Sequence, residues 1–238
     1  QNASAIRAPG GILIARDGHE SSIEGSTAPI HDAGGRFAGA VIVFHESGAT
    51  RAMSRQLAHQ AQHDALTDLP NRGLVNDRLQ QAVAWARRHH RRVAVAFLDL
   101  DHFKQVNDSL GHVVGDELLQ AVAVRLNESV RRSDTVGRLG GDEFVVILSD
   151  LDTVAHAEAA VTKLLAALSQ PYAIGVHSLR AGSSIGVSVY PDDGEGADVL
   201  LNNADMAMYH AKASGGRRYQ FFRRDMTMRA VERQFIEA

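Results

Sequence analysis

The sequence predicts an α/β or α+β domain, a mixed sheet with helices packed over it, and three features carry that reading. Val93-Ala94-Val95-Ala96-Phe97-Leu98 is a continuous apolar run, as expected of a central strand buried on both faces. Amphipathic helical patterns flank it, with Val75, Leu79, Val83 and Ala86 before it and Leu118, Leu119, Val122, Leu126 and Val130 after it. Two further apolar runs, Val136 to Leu139 and Phe144 to Leu148, enclose Gly140-Gly141-Asp142-Glu143 and so read as a hairpin. Strands and helices interleaved around hairpins define the class.

Taken in order, residues 11 to 46 show three short β-like runs separated by Asp17-Gly18 and by Asp32-Ala33-Gly34-Gly35, which predicts an antiparallel meander. Residues 47 to 63 are helix formers, with Met53, Leu57 and Ala61 at i, i+4 and i+8. That is a connecting helix with a narrow apolar stripe suited to pairing with a copy of itself. The helix through Ala86 ends in Arg87-Arg88-His89-His90-Arg91-Arg92. Such a run suits either a nucleic-acid patch or cations solvating a helix C-terminus, and the second is the simpler account. Residues 154 to 168 predict an Ala/Leu-rich helix and Ser184 to Tyr190 a strand with Ile185, Val187 and Val189 alternating. Residues 197 to 213 predict a last long helix and Tyr219 to Phe222 a last short strand.

Composition limits the function. The chain has 238 residues, enough for one or two domains and a buried core. Lys plus Arg is 25 against 28 Asp plus Glu, and this net charge of -3 argues against nucleic acid as a partner. Cys is absent, which removes disulfides, thiolate metal sites and Cys nucleophiles and leaves carboxylate, His, Lys or Ser chemistry. No stretch reaches the roughly 18 uncharged apolar residues of a bilayer span, so the chain reads as soluble and cytoplasmic. It begins at Gln1, which suggests a fragment and is compatible with a membrane anchor upstream.

Two acidic clusters close apolar strands: Asp99-Leu100-Asp101 after the buried run, and Asp142-Glu143 at the hairpin tip. Ligands of such sheets bind outside the strand ends, so neighbouring strands would bring three or four carboxylates together there. Unaided, they would repel and raise one another's pKa; an oxygen-seeking ion such as Mg²⁺, held by carboxylates and substrate phosphates, resolves the conflict. Two ions would activate a hydroxyl and stabilise a departing pyrophosphate. The competing account makes Asp101 the cap of a helix starting at His102 and Asp142-Glu143 ordinary turn residues. Gly140 and Gly141 leave room for a phosphate near the backbone, and Lys104 lies one turn into the helix after Asp101, within reach of one. Asn107 and Asp116 suit a guanine edge, the amide and the carboxylate matching its acceptors and donors, although Asp116 also suits a helix N-cap after Gly115.

These residues carry a family resemblance. Arg138-Leu139-Gly140-Gly141-Asp142-Glu143-Phe144 resembles the signature of the GGDEF-domain diguanylate cyclases. Asp64-Ala65-Leu66-Thr67-Asp68-Leu69-Pro70-Asn71-Arg72, Phe97 to Asp108, Gly111-His112 with Gly115-Asp116-Glu117, Ser184-Ile185-Gly186 and Ala211-Lys212 resemble the family's other motifs in order. The resemblance implies a palm-like domain over 64-222 that condenses two GTP into cyclic di-GMP and two pyrophosphates, with one GTP per domain and therefore a homodimer. It implies Asp99, Leu100 through its carbonyl, Asp142 and Glu143 as ligands of Mg²⁺ or Mn²⁺, two ions per GTP, with Glu143 also assisting the 3′-hydroxyl. Lys104 and Lys212 would neutralise the triphosphate, backbone N–H groups around His102, Phe103 and Lys104 would cradle it, and Asn107 and Asp116 would read guanine. Arg131-Arg132-Ser133-Asp134 resembles the family's inhibitory product site, with Arg131 and Asp134 as its polar pair and cyclic di-GMP as the feedback ligand.

The family often has Gly-Arg-Asn after Ala-Lys, whereas here Gly215-Gly216-Arg217-Arg218 shifts the Arg by one and offers two candidates. This variant looks like domains followed by an EAL phosphodiesterase domain, and 223-238 resembles the helical lead-in to one. Residues 1-46 resemble the last strands of a PAS sensor domain, and 47-63 a signalling helix. Two other functions share these features: a GTP-binding module regulating an EAL domain, and a polymerase palm, which would require a basic channel.

Overall fold

The computed structural model describes residues 6–17, 20–46 and 56–226. The chain divides into two compact units, residues 1–61 and 62–238. The division falls inside the predicted connecting helix. Residues 56–62 are helical, while 47–55 of that helix and 227–238 of the predicted C-terminal linker lie outside the described residues.

The first unit contains the predicted meander. Strands β1 (Ile6–Ile14), β2 (Glu20–His31) and β3 (Phe37–Glu46) form an antiparallel sheet in the order β1-β2-β3. Asp32 closes the β2–β3 turn as expected of that residue type: its Oδ1 accepts from the N–H groups of Gly34 and Arg36, both at 2.9 Å.

The second unit is built on a five-stranded mixed sheet. Its helices and strands are α1 (Arg72–His89), β4 (Arg92–Asp101), α2 (Phe103–Leu110), α3 (His112–Ser129), β5 (Thr135–Gly140), β6 (Glu143–Leu151) and α4 (Val154–Leu168). They continue with β7 (Tyr172–Ile174), β8 (His177–Leu179), β9 (Gly182–Tyr190), α5 (Ala197–Ala213) and β10 (Tyr219–Phe221). The strand order is β10-β9-β4-β6-β5, antiparallel except for β10 beside β9. The apolar run of β4 lies at the centre and feeds two cores, because successive side chains point to opposite faces. Val93, Val95 and Phe97 pack with Val75, Leu79 and Val83 of α1 and Leu200, Ala204 and Met208 of α5. Ala94, Ala96, Leu98 and Leu100 pack with Leu118, Leu119 and Val122 of α3 and Val161 and Leu164 of α4.

Three local expectations are corrected, and two features go beyond the sequence reading. Helix α3 starts at His112, after a break at Gly111, so Asp116 is an exposed residue inside the helix rather than its N-cap. Helix α2 is preceded by His102 in left-handed conformation (φ 63°) with no side-chain cap, so Asp101 caps nothing. The basic run does more than solvate a helix end: Arg91 pairs with Asp150 and Asp152, and Arg92 with Asp192. Strand β9 is a strand as expected, and all nine of its residues are buried. Its Gly186 and Ser188 lie under α5, where Ser188 Oγ donates to Leu200 O at 2.7 Å and a Cβ on Gly186 would come within 1.9 Å of Ala204 O. Finally, the β7–β8 hairpin was not foreseen.

Candidate active site

Strands β4 and β6 are hydrogen-bonded neighbours, and their antiparallel register sets Asp99 directly opposite Glu143. The register is unbroken from Ala94 to Asp99, so the two carboxylates, far apart in sequence, share one face at one end of the sheet. Asp142 stands beside them in the turn. Gly140 (φ 141°) and Gly141 (φ 52°) shape that turn, with nothing within 4 Å of where either Cβ would be, so a ligand can approach the backbone closely.

Helix α5 brings a cation to this face. Lys212 Nζ donates to Asp99 Oδ1 at 2.7 Å. Burial pushes the Asp99 carboxyl above its ordinary pKa, and the charge of Asp142 adds to the rise, while the bond from Lys212 opposes it. Burial lowers the Lys212 ammonium, but the bond to Asp99 and the nearby charges of Asp99, Asp142 and Asp101 outweigh it and raise its pKa. Glu143 is raised by burial and by the charge of Asp205, with Arg72 opposing. Asp205 and Arg72 line a cleft with Glu143 and Phe97, and sequence reasoning gave neither of them a role.

A second cleft, of about 290 Å³, is lined by His102, Phe103, Lys104, Asp142 and Lys212, with Leu100 at its floor. It gathers the predicted phosphate-binding residues at the uncapped start of α2, where helix N–H groups lack intrahelical partners and favour anions. Asn107 points its Oδ1 into a buried position without a hydrogen-bond partner, and Gly115 makes the space, since a Cβ there would come within 1.9 Å of that oxygen. Asp116 follows on the exposed side of α3.

Among the described residues, no group of three or more His, Asp or Glu forms a ready-made ion cage. The donor set nevertheless fits Mg²⁺, which takes one or two carboxylates and leaves its other positions to substrate phosphates and water. Asp99, Glu143 and Asp142, with the Leu100 carbonyl, are such a set, and Lys212 now meets the charge of Asp99.

The predicted Arg131/Asp134 pair lies just before β5, and its geometry differs from a surface ion pair. Asp134 Oδ2 accepts from the backbone N–H of Arg131 (3.0 Å) and Oδ1 from that of Ser149 (3.1 Å), while the Arg131 side chain is exposed. Arg138, quoted in the signature without a role, is buried. Its guanidinium donates to Asp64 Oδ1 at 2.8 Å and to Gly141 O at 2.7 and 3.1 Å, holding the Gly140-Gly141 turn from behind. Burial pushes Asp64 up, but bonds from the Thr67 hydroxyl, Arg138 and the Thr67 N–H prevail and hold it below the ordinary carboxylate value.

Comparison with known proteins identifies the family. Residues 61–218 match the family model described as diguanylate cyclase, GGDEF domain. The chain is 49% identical over 179 residues to the bifunctional diguanylate cyclase/cyclic di-GMP phosphodiesterase MucR of Pseudomonas aeruginosa, covering 75% of this chain and 26% of MucR. The solved GGDEF domain of TpbB from the same species is 37% identical, with a TM-score of 0.69, covering 71% of this chain and 99% of that one. The coiled coil and GGDEF domain of DgcB from Caulobacter crescentus, solved with c-di-GMP, is 26% identical with a TM-score of 0.66, covering 73% and 92%. The chain spans 24% to 38% of the length of the first five curated relatives it matches. With two-thirds of its residues under one family model, and with the palm-like mixed sheet of these solved domains, the chain belongs to the diguanylate cyclase GGDEF-domain family.

Proposed function

We propose that this chain is a diguanylate cyclase, condensing two GTP into cyclic di-GMP and two pyrophosphates. The observation that carries the reading is the Asp99–Glu143 cross-strand pair, with Lys212 bonded to Asp99 and with Asp142 and Lys104 lining the adjoining cleft. In each of two steps the 3′-oxygen of one GTP attacks the α-phosphorus of the other. The bond from that phosphorus to the β-phosphate oxygen breaks, pyrophosphate leaves, and the 3′-hydroxyl gives up its proton. Divalent ions held by Asp99, the Leu100 carbonyl, Asp142 and Glu143 would supply charge stabilisation at the attacking and leaving oxygens.

The chain's own residues do the rest by positioning and charge. Lys104, Lys212 and the N–H groups around His102, Phe103 and Lys104 hold the polyphosphate, and the Gly140-Gly141 turn admits it to the backbone. Asn107, whose oxygen has no partner in the protein, and Asp116 read the guanine edge. Glu143 assists the 3′-hydroxyl. Each site holds one GTP, so two copies meet face to face. Cyclic di-GMP feeds back at Arg131 and Asp134, where Asp134 fixes the backbone and the exposed Arg131 guanidinium makes the recognition. GTP is a cytoplasmic substrate, which places the working domain in the cytoplasm.

Incubating the pure chain with GTP and Mg²⁺ and separating products chromatographically tests this. Wild type is expected to yield cyclic di-GMP, and Asp142→Ala and Glu143→Gln to lose about 100-fold or more of that rate. A second reading, a GTP-binding module controlling an EAL phosphodiesterase domain in a longer protein, is favoured by the likeness to bifunctional MucR. GTP binding without turnover at any protein concentration selects it, and absence of GTP binding sinks both.

A further inference from the structure

We propose that Asp101 is a positioning residue that latches the Gly215–Arg217 turn and thereby presents Arg217, rather than Arg218, to the polyphosphate; this rests on the GTP reading above. Asp101 closes β4, is 9% exposed, and divides its carboxylate between two elements. Its Oδ1 accepts from Ser184 Oγ of β9 at 2.6 Å, and its Oδ2 accepts from the backbone N–H of Arg217 at 2.8 Å. Glycines make the approach possible on both sides. A Cβ on Gly182, its register partner in β9, would lie 2.9 Å from Oδ2, and one on Gly216 would lie 2.8 Å from it.

The turn needs such a hold. Gly215 (φ 109°), Gly216 (φ 68°) and Arg217 (φ 51°) are three successive left-handed residues, and for Arg217 that conformation is unfavourable without an external partner. The result is directional. Arg217 packs over Gly182, where an added Cβ would come within 2.6 Å of its Cγ, and it lines a cleft of about 340 Å³ with His102 and Lys212. Arg218 instead turns its Nε back onto Gly216 O at 3.2 Å. Asp101 therefore fixes which of the two guanidiniums faces the cleft.

The test is calorimetric titration of the whole chain with a non-hydrolysable GTP analogue and Mg²⁺. Asp101→Asn, whose amide keeps one acceptor in place of the divided carboxylate, is expected to bind about tenfold more weakly, and Arg217→Ala to weaken binding similarly. The double variant is expected to bind no more weakly than Arg217→Ala alone, because Asp101 acts through Arg217. Wild-type affinity in Asp101→Asn, or effects that multiply in the double variant as a general loss of structure would make them, overturns the assignment. Should Asp101→Asn not fold, Asp101→Ser, which withdraws the acceptor from the Arg217 N–H, decides by the same comparison. Failure of the wild type to bind the analogue sinks the GTP reading itself, a result distinct from either of these.

Discussion

The ammonium of Lys212 sits 2.7 Å from a carboxylate oxygen of Asp99, so a cation from α5 occupies the charge that the central strand β4 offers at its end. Asp99 is nearly buried, and a buried carboxylate stays charged only with a partner. On the GTP reading proposed above, the charge of Asp99 is already met before nucleotide and metal arrive, and Lys212 passes from carboxylate to phosphate as they bind.

Lys212→Ala is accordingly expected to move two affinities in opposite directions. Mg²⁺ alone should bind a few-fold more tightly, since Asp99 no longer holds the ammonium, while the GTP analogue should bind about tenfold more weakly. Calorimetric titrations with each reveal the pattern. A parallel loss of both would mean that Lys212 maintains the fold instead.

The two ends of the Arg131/Asp134 pair should separate. Arg131→Ala is expected to leave stability within about 0.5 kcal/mol and to relieve inhibition by added cyclic di-GMP. Asp134→Ala strands two backbone N–H groups and should cost about 1–3 kcal/mol in urea denaturation. Equal stability losses would contradict the division of labour drawn here.

Arg138→Met should destabilise the domain by about 3 kcal/mol at neutral pH, because it leaves the Asp64 carboxylate partly buried and short of its guanidinium. The folded-state pKa of Asp64 is depressed, so its contribution is present above the unfolded value of about 3.9 and is lost as pH falls through the folded value. The gap between variant and wild type is thus expected to narrow below about pH 4. A gap independent of pH would show that the packing of Arg138, and not its charge, is what matters.

Gly186→Ala adds a methyl that would lie 1.9 Å from Ala204 O and 2.0 Å from Met208 N of α5. Neither backbone atom can yield without moving the helix that carries Lys212, so a loss of about 3 kcal/mol or more is expected. Thermal denaturation checks it, and an unchanged midpoint would mean that α5 is less tightly seated than it stands here.

Much of this was legible in the sequence because it depends on local pattern. The apolar run of β4, the 3.6-residue spacing of α1 and α3, and the hairpin glycines each report a neighbourhood of a few residues. The convergence of Asp99 with Glu143 needed only the inference that two strands pair. What escaped depends on distant partners: Asp101 meets Ser184 and Arg217, and Arg138 meets Asp64, across separations no periodicity records. Strand β9 was foreseen as a strand, but the seating of α5 on it was not. The sequence reading used only its Ile185, Val187 and Val189; the small Gly186 and Ser188 between them are what a closely packed helix requires, and that was the missed signal. The β7–β8 hairpin, with three residues a side, is too short for alternation to show.

The pairing of Asp99 with Glu143 also bears on how the molecule is born. A slip of one residue between β4 and β6 would turn one of the two carboxylates toward the opposite core, so a chain whose central ladder is incomplete or misaligned has no catalytic centre. Assembly of the candidate site and completion of the fold thus depend on one zipper of hydrogen bonds.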